Sequence, residues 1–309
     1  MEKIGKKLWT ALIISILIPY GAALVFSGTA AVEEYAEYSE EGEPRILLDG
    51  ENGGYVTLED YLAGVVAGQI PAEYEEETLK AQAIIVRTYL IKQMGEDLEI
   101  PESSLELESL ETEQLKSLWG SKEFAGLYRK VENAVKETEG QVLTYQGELI
   151  DPLFCRASAG MTRQGDDLHP YLVSVDSAKD VEMDGFFSIQ IWTKEEFAEK
   201  IGGVLEGEPV GADEIPGCIQ IVKRDEAGYV EEIQIGSQIC SGDAVQYALG
   251  LPSPNFTIEE YGEKVRTASS GMGHGYGFSQ FGANEKAKEG WTAQDLLEYY
   301  YKNIDLISE

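Results

Sequence analysis

The stretch from Leu58 to Met94 constrains the fold of this chain more than any other. It predicts a short helix, a turn marked by Pro71, and then a long helix. Apolar residues of the second helix recur at three- and four-residue steps and cover more than one face, at Leu79, Ala83, Val86 and Leu90, with Ile84 and Ile85 beside them. A helix this apolar lies inside a domain, so the preceding turn is held rigidly at the edge of a core. The residue displayed at that turn is Gln69.

The charge of the chain excludes one class of partner. The formal net charge is −32 over 309 residues, and residues 1–31 carry three lysines against one glutamate, which leaves −34 on the rest. Such an acidic surface repels phosphate backbones, and no basic or Arg-rich stretch offers a local exception. We therefore expect no nucleic-acid binding. We interpret the charge as a solvated surface rather than a site for a specific cationic partner.

The N-terminus has the pattern of a single membrane anchor. Lys6 and Lys7 precede an apolar run at 8–28, close to the roughly 20 residues that a helix needs to cross a bilayer core. These lysines hold their end in the cytoplasm and place the acidic remainder outside. We predict a cytoplasmic stub at 1–7, a transmembrane anchor at 8–28, a linker at 29–44 and an extracytoplasmic domain at 45–309. A cleaved signal peptide is the alternative, although the apolar run is long for one.

The three cysteines, Cys155, Cys218 and Cys240, cannot all pair within the chain. Cys218 and Cys240 flank a predicted hairpin and are candidates for a disulfide, although the sequence does not fix the pairing. No Cys-x-x-Cys or His-Glu-x-x-His spacing indicates a zinc site.

The rest of the chain mixes short strands and helices without βαβ regularity. Strands are predicted at Arg45–Leu48, Tyr55-Val56, Gln141–Tyr145, Glu148–Phe154, Ile219–Val222 and Val230–Ile235. Helices are predicted to begin near Ser121, Thr193, Ser241, Ser279 and Thr292. Residues 95–114 are acidic and weakly patterned, and predict a surface insertion. This pattern favours an α+β fold in one domain with an insertion.

Two long motifs resemble a known family. YLAGVVAGQIPAEYEEETLKAQAIIVRTYL at 61–90 and GHGYGFSQFGANEKAKEGWTAQDLLEYYYKN at 273–303 closely resemble the opening and closing motifs of the SpoIID/LytB domain family of sporulation proteins. Between them, LFCRASAGMTR at 153–163 is similar to a degraded form of the family's His-Ser-Thr-Ser-Gly-Gly loop. PYLVSVDS at 170–177 matches the segment that follows. The resemblance spans about 45–304, in the family's order and spacing.

The resemblance implies a peptidoglycan lytic transglycosylase, which cleaves the MurNAc–GlcNAc bond without water and leaves a 1,6-anhydro-MurNAc end. One carboxylic acid suffices: it protonates the departing oxygen and then accepts the proton of the sugar's own C6 hydroxyl. The family has a Glu here, directly before Met-Pro, whereas this chain has Gln69 before Ile70-Pro71. An amide has no titratable proton. We expect catalysis to fall by the ~10²–10⁴-fold that a general acid contributes, while a sugar-binding groove can persist.

The chain also departs from the family in the middle loop. Cys155 stands at the family's His and Met161 where a polar residue is usual, so we expect no cofactor and do not expect the zinc associated with some family members. We interpret His169 as an exposed surface residue.

Glu73 is the nearest candidate for a substitute acid; alternatively, it belongs to an acidic cluster favoured by the helix dipole.

The remaining candidate residues are assigned to substrate binding. They are Arg87 and Tyr89 of the long helix, Ser158, Gly160 and Thr162 of the middle loop, and His274, Tyr276, Ser279 and Gln280 of the closing motif. Arg87 is expected to line the groove or to pair with a carboxylate in the core. The closing glycines are expected to let the backbone approach a ligand closely.

Two functions remain open at this point. The first is a membrane-anchored transglycosylase of the sporulating cell, acting in engulfment from the mother-cell membrane, in which Gln69 is tolerated or replaced by another acid. The second is a catalytically impaired homologue that binds glycan or scaffolds other proteins. The resemblance implies peptide-free glycan strands and other membrane engulfment proteins as partners.

Overall fold

The computed structural model describes residues 43–49, 54–107 and 109–308. The predicted anchor at 8–28 lies outside these residues, as does nearly all of the linker. Within them, no helix is both long enough and apolar enough to span a bilayer. The described residues form two units, a smaller one with residues 43–49, 54–61 and Met94–Glu106, and a larger one with Leu62–Gln93 and residues 107 and 109–308.

Eight α-helices lie within the described residues. They are α1 (Leu58–Gln69), α2 (Glu76–Met94), α3 (Thr112–Trp119), α4 (Phe124–Glu137), α5 (Lys194–Gly202), α6 (Gly242–Leu249), α7 (Gln280–Lys288) and α8 (Ala293–Tyr300). The first two confirm the predicted helical pair, and Gln69 is the last residue of α1. A short 3₁₀ segment at Ala178–Glu182 also matters for the site.

Fourteen short strands are described. They are β1 (Arg45–Leu48), β2 (Gly54–Thr57), β3 (Glu99–Pro101), β4 (Gln141–Tyr145), β5 (Glu148–Leu149), β6 (Phe154–Cys155), β7 (Phe187–Thr193), β8 (Ile219–Arg224), β9 (Val230–Ile235), β10 (Gln238–Ser241), β11 (Phe256–Tyr261), β12 (Lys264–Ser270), β13 (Phe278–Ser279) and β14 (Asp305–Ser308). The smaller unit holds the sheet β2-β1-β3, in which β1 is antiparallel to β2 and parallel to β3. The larger unit holds β10-β9-β8, β11-β12-β7, β13-β6 and β14-β4-β5. Small sheets mixed with helices confirm the α+β class.

The larger unit has two apolar clusters. The first joins the two family motifs, because Ile84 and Ile85 of α2 pack with Phe278 and with Leu296 and Tyr300 of α8. The second lies under the sheets β10-β9-β8 and β11-β12-β7, and is formed by residues such as Phe197, Ile201, Val230, Ile233, Val245, Leu249 and Val265. The apolar pattern of α2 therefore does place the preceding turn on a packed core.

Local helix signals were accurate. Thr193, Ser241 and Thr292 each precede a helix, and each side-chain oxygen accepts a hydrogen bond from the backbone N–H three residues later, at 3.1 to 3.2 Å. Each therefore acts as an N-cap rather than as the first helical residue.

Several expectations were wrong. The predicted strand Glu148–Phe154 pairs only near its two ends, as β5 and β6, since the residues between them follow an irregular path. The helix expected from Ser121 begins at Phe124, and α3 begins inside the acidic segment interpreted as an insertion. The three cysteines are unpaired, so the candidate disulfide between Cys218 and Cys240 does not form.

Candidate functional site

Gln69 is partly exposed at the C-terminal end of α1, in the larger unit. The Gln280 side chain, at the start of α7, donates from Nε2 to the Gln69 carbonyl oxygen at 2.9 Å and to Gln82 Oε1 at 3.2 Å. Gln280 is almost fully buried. It holds the backbone that presents Gln69, and its assignment to substrate binding stays a prediction.

The turn after Gln69 is fixed by two further helices. Asn284 of α7 accepts through Oδ1 a hydrogen bond from Glu75 N–H at 2.8 Å. Lys130 of α4 donates from Nζ to the carbonyl oxygens of Glu73 and Tyr74. These side chains replace the hydrogen bonds that a helix would supply, so the turn keeps one conformation. The Glu73 side chain itself is exposed to solvent.

A buried carboxylate, Asp180, joins three segments of the site. Its Oδ2 accepts from Ser158 N–H at 2.8 Å, from Ser158 Oγ at 2.6 Å and from Ser279 Oγ at 2.8 Å. Burial raises the pKa of Asp180 above its ordinary value, and the hydrogen bonds from the serines oppose this rise. Ser158 and Ser279 are fully buried or nearly so. In this structure both serve Asp180, and their assignment to substrate binding stays a prediction.

The closing glycines pack against other parts of the protein. Their φ angles are positive, and a Cβ at Gly273 would lie 2.8 Å from Cys155 Cβ, one at Gly275 2.3 Å from the Tyr229 ring, and one at Gly277 2.0 Å from Leu153 O. The close approach of these glycines is therefore to segment 153–159 and Tyr229.

Cys155 lies inside this packing. It is 4% exposed, and burial together with nearby Asp180 raises the pKa of its thiol well above the ordinary value. A thiol of this kind stays protonated, and only the thiolate is a strong nucleophile or metal ligand. Cys155 is therefore a small core residue.

Arg163 anchors a second charged cluster that the sequence did not reveal. Its Nε lies 2.8 Å from Asp225 Oδ2 and its Nη1 3.0 Å from Asp243 Oδ1, although the side chain is only 4% exposed. Its guanidinium carbon lies 4.4 Å from the centroid of the Tyr276 ring. Buried ion pairs of this kind hold the loops that carry them in one arrangement. Its partners come from 62 to 80 residues downstream, which sequence pattern alone does not indicate.

His274 is used within its own turn. Its Nδ1 accepts from Tyr276 N–H at 3.0 Å, so the ring proton is on Nε2, and the ring also interacts with the Phe154 backbone. Burial, with Arg163 as a second cause, lowers the pKa of His274. A neutral imidazole that bonds locally shapes the turn around Tyr276.

Two more residues assigned to substrate binding are fully buried and bond within the protein. Arg87 is fully buried and donates to Val135 O at 3.1 Å, to Gln141 O at 3.3 Å and to Thr138 Oγ1 at 3.4 Å. It satisfies carbonyls in the last turn of α4 and just beyond that helix. Thr162 is also fully buried, and its Oγ1 bonds to the backbone of Val173 and Val175.

The accessible candidates are fewer. Tyr89 is partly exposed on α2, and Tyr276 is partly exposed beside Arg163. Gly160 has φ +102° with open space where a Cβ would point, and its carbonyl accepts from Ser177 N–H at 2.9 Å. Together with Gln69, these residues remain predicted contacts for a substrate.

The residues present do not fit a zinc ion. No group of three His, Cys, Asp or Glu side chains suited to a metal occurs in the part of the chain that the structure describes. The sequence has two histidines; His274 serves its turn, and His169 Nδ1 lies 2.7 Å from Asp166 Oδ1. His169 is thus partly buried and paired, which corrects its interpretation as a plain surface residue.

Comparison with known proteins adds a family. A family model described as SpoIID, stage II sporulation protein, matches residues 53–145. Stage II sporulation protein D of Bacillus subtilis strain 168 is 33% identical over 264 residues, and that of Bacillus amyloliquefaciens is 31% identical over 263 residues. Each match covers 81% of this chain and 74% of the relative. An amidase enhancer of Bacillus subtilis is 23% identical over 302 residues, covering 80% of this chain and 40% of that protein.

Proposed function

The chain belongs to the stage II sporulation protein D (SpoIID) family, and from that membership we propose that it is a sporulation protein that binds peptidoglycan glycan strands without cleaving them. The single observation that carries the proposal is Gln69. It occupies the position of the acid that the family resemblance implies, at the end of α1, on a turn held by Gln280, Asn284 and Lys130. The side chains that hold this position are present, but the position carries an amide where the family resemblance implies a carboxylic acid.

Gln69 cannot replace the implied acid. Lytic cleavage needs one group that first donates a proton to the glycosidic oxygen and then accepts one from the C6 hydroxyl. A carboxamide donates and accepts hydrogen bonds but does not transfer a proton in this range of pH. It has nearly the size and shape of a glutamic acid side chain, so contacts with the sugar can persist while catalysis is lost.

Neither nearby carboxylate is a good substitute. Glu73 is exposed to solvent, whereas a general acid that works near neutral pH needs an enclosing apolar environment. Asp180 has the enclosure and a raised pKa. It is fully buried, however, and its oxygens are occupied by Ser158 and Ser279. A substrate oxygen has no route to it in this conformation.

The location and partners of the protein follow from the same proposal. An anchor at 8–28 would hold the acidic domain on the outer side of a cell membrane, where peptidoglycan lies. We propose peptide-free glycan strands as ligand and other membrane engulfment proteins as partners.

Co-sedimentation tests the proposal. The full 309-residue chain is incubated with insoluble peptidoglycan whose stem peptides have been removed, and both the pellet and the released sugar are measured. The account expects the protein in the pellet and no sugar release above a protein-free control. Failure to pellet would contradict glycan binding.

The second candidate function is an active transglycosylase that uses Glu73. The favouring observation is that Lys130 fixes the backbone of Glu73 and Tyr74, which places this carboxylate on a rigid turn four residues from Gln69. Sugar release by the natural protein that disappears in the Glu73→Gln variant would establish this alternative and overturn the first.

A further inference from the structure

A cavity of about 680 Å³ lies between two surface segments of the larger unit. One wall is formed by residues 164–174, and the other by the turn of the β8–β9 hairpin at 223–231. Tyr276 of the closing motif also lines it. The volume lies within the range of roughly 300–1,000 Å³ that is typical of small-ligand sites.

The aromatic part of the cavity is rigid. Arg163 stacks on the Tyr276 ring at 4.4 Å and is itself held by Asp225 and Asp243. Because the guanidinium is pinned, the ring that packs against it has a fixed orientation. A fixed aromatic ring of this kind provides a flat surface on which the apolar face of a sugar ring packs.

The lining of the cavity carries more carboxylates than cations, with Asp166, Asp225, Glu226 and Glu231 against Lys223 and Arg224. Glu231 Oε2 lies 2.6 Å from Lys223 Nζ, and Asp225 is paired with Arg163. The remaining negative charge disfavours an anionic ligand. The carboxylate oxygens still have free lone pairs, which suit the O–H and N–H donors of a neutral polar ligand.

The cavity lies near Gln69, because Tyr276 is only a few residues from a side chain that contacts Gln69. Tyr276 is four residues before Gln280, and Gln280 bonds to the Gln69 carbonyl. Four residues span at most about 14 Å even when fully extended. A short polymer could therefore contact both places.

We infer that this cavity is a saccharide subsite, which binds one uncharged N-acetylated sugar of a glycan strand through its hydroxyl and acetamido groups while the strand passes Gln69. The inference rests on the proposed function, and adds where a sugar is held and which residues select it. Tyr276 supplies the packing surface, and the carboxylates supply hydrogen bonds.

Filling the cavity tests the inference. Ala227 is partly exposed on the hairpin turn and lines the cavity, so Ala227→Trp places an indole in it without touching Gln69. Isothermal titration of the full chain with peptide-free glycan strands and with a tetrasaccharide of N-acetylglucosamine measures the dissociation constant. We expect Ala227→Trp to weaken binding of both ligands at least ten-fold.

Matched variants make the result specific. Ala125→Trp makes the same change at an exposed position of α4 and should bind like the natural protein. Glu226→Trp, at an exposed position that also lines the cavity, decides the matter if thermal melting shows that Ala227→Trp is misfolded. Unchanged affinity in the folded cavity variants would overturn the subsite and leave the proposed function standing. Absence of binding by the natural protein would overturn both.

Discussion

Removal of the Asp180 carboxylate should cause a large loss of stability, because this group satisfies donors from two distant segments. Ser158 N–H, Ser158 Oγ and Ser279 Oγ all donate to it, and both serines are buried. Asp180→Ala leaves these donors without an acceptor, at about 1–3 kcal/mol for each unsatisfied buried group. We therefore expect the free energy of unfolding to fall by about 3–5 kcal/mol, a large value for a single substitution.

The Asp180→Asn variant tests the effect of the charge separately from that of the hydrogen bonds. Asp180→Asn keeps an oxygen acceptor, so most of these hydrogen bonds can persist. Burial raises the pKa of Asp180 above 3.8, so the native state binds this proton more tightly than the unfolded chain does. The stabilisation from proton binding is present below the ordinary pKa and is lost as pH rises through the raised pKa. The natural protein should lose stability relative to Asp180→Asn over that window.

Urea denaturation of the three proteins at several pH values between 3.5 and 8, monitored by circular dichroism, measures both effects. The reasoning would be refuted by an Asp180→Ala variant within about 1 kcal/mol of the natural protein, less than a single orphaned donor costs. It would equally be refuted if the natural protein gained stability relative to Asp180→Asn as pH rose.

Three further substitutions test separate parts of the account. Gly275→Ala forces a Cβ to within 2.3 Å of the Tyr229 ring at a φ of +84°, and should lower the free energy of unfolding by more than about 2 kcal/mol. The control Gly262→Ala, at a φ of +61° with open space around it, should lower it by about 1 kcal/mol. Equal losses in urea denaturation would contradict the packing role of Gly275. Arg163→Lys loses the forked pairing and the ring contact and should cost about 2–3 kcal/mol, so a neutral result by the same assay would show that the cluster is not structural. Gln280→Ala removes the side chain that donates to the Gln69 carbonyl oxygen. It should lower the unfolding free energy by about 1 kcal/mol and weaken glycan binding in titration calorimetry. If both values are unchanged, Gln280 does not position Gln69.

The features that the sequence predicted correctly are local. The helical pair, the caps at Thr193, Ser241 and Thr292, and the β8–β9 hairpin depend on residues a few positions apart, and their spacing is visible in the chain. The positive φ angles of the closing glycines are local in the same sense.

The features that the sequence did not predict depend on distant partners. Asp180 meets Ser158 and Ser279 across 22 and 99 residues, and no periodic pattern marks three polar residues that share one buried site. Arg87 was expected to line a groove or to pair with a carboxylate in the core, and its guanidinium donates to acceptors that lie 48 to 54 residues downstream. Family motifs identified the segments of the site, and only the packing separated residues that support it from residues that face solvent.

The most direct test of the central claim is the chemistry of the cleaved ends. The full natural chain and its Gln69→Glu variant are each incubated with peptide-free glycan strands, and the products are analysed by mass spectrometry. The account predicts 1,6-anhydro-MurNAc ends from Gln69→Glu and none from the natural protein, because the change restores the missing acid to an intact support. Anhydro ends from the natural protein would contradict the claim that it binds without cleaving, and their absence from both proteins would contradict the claim that Gln69 is what silences the site.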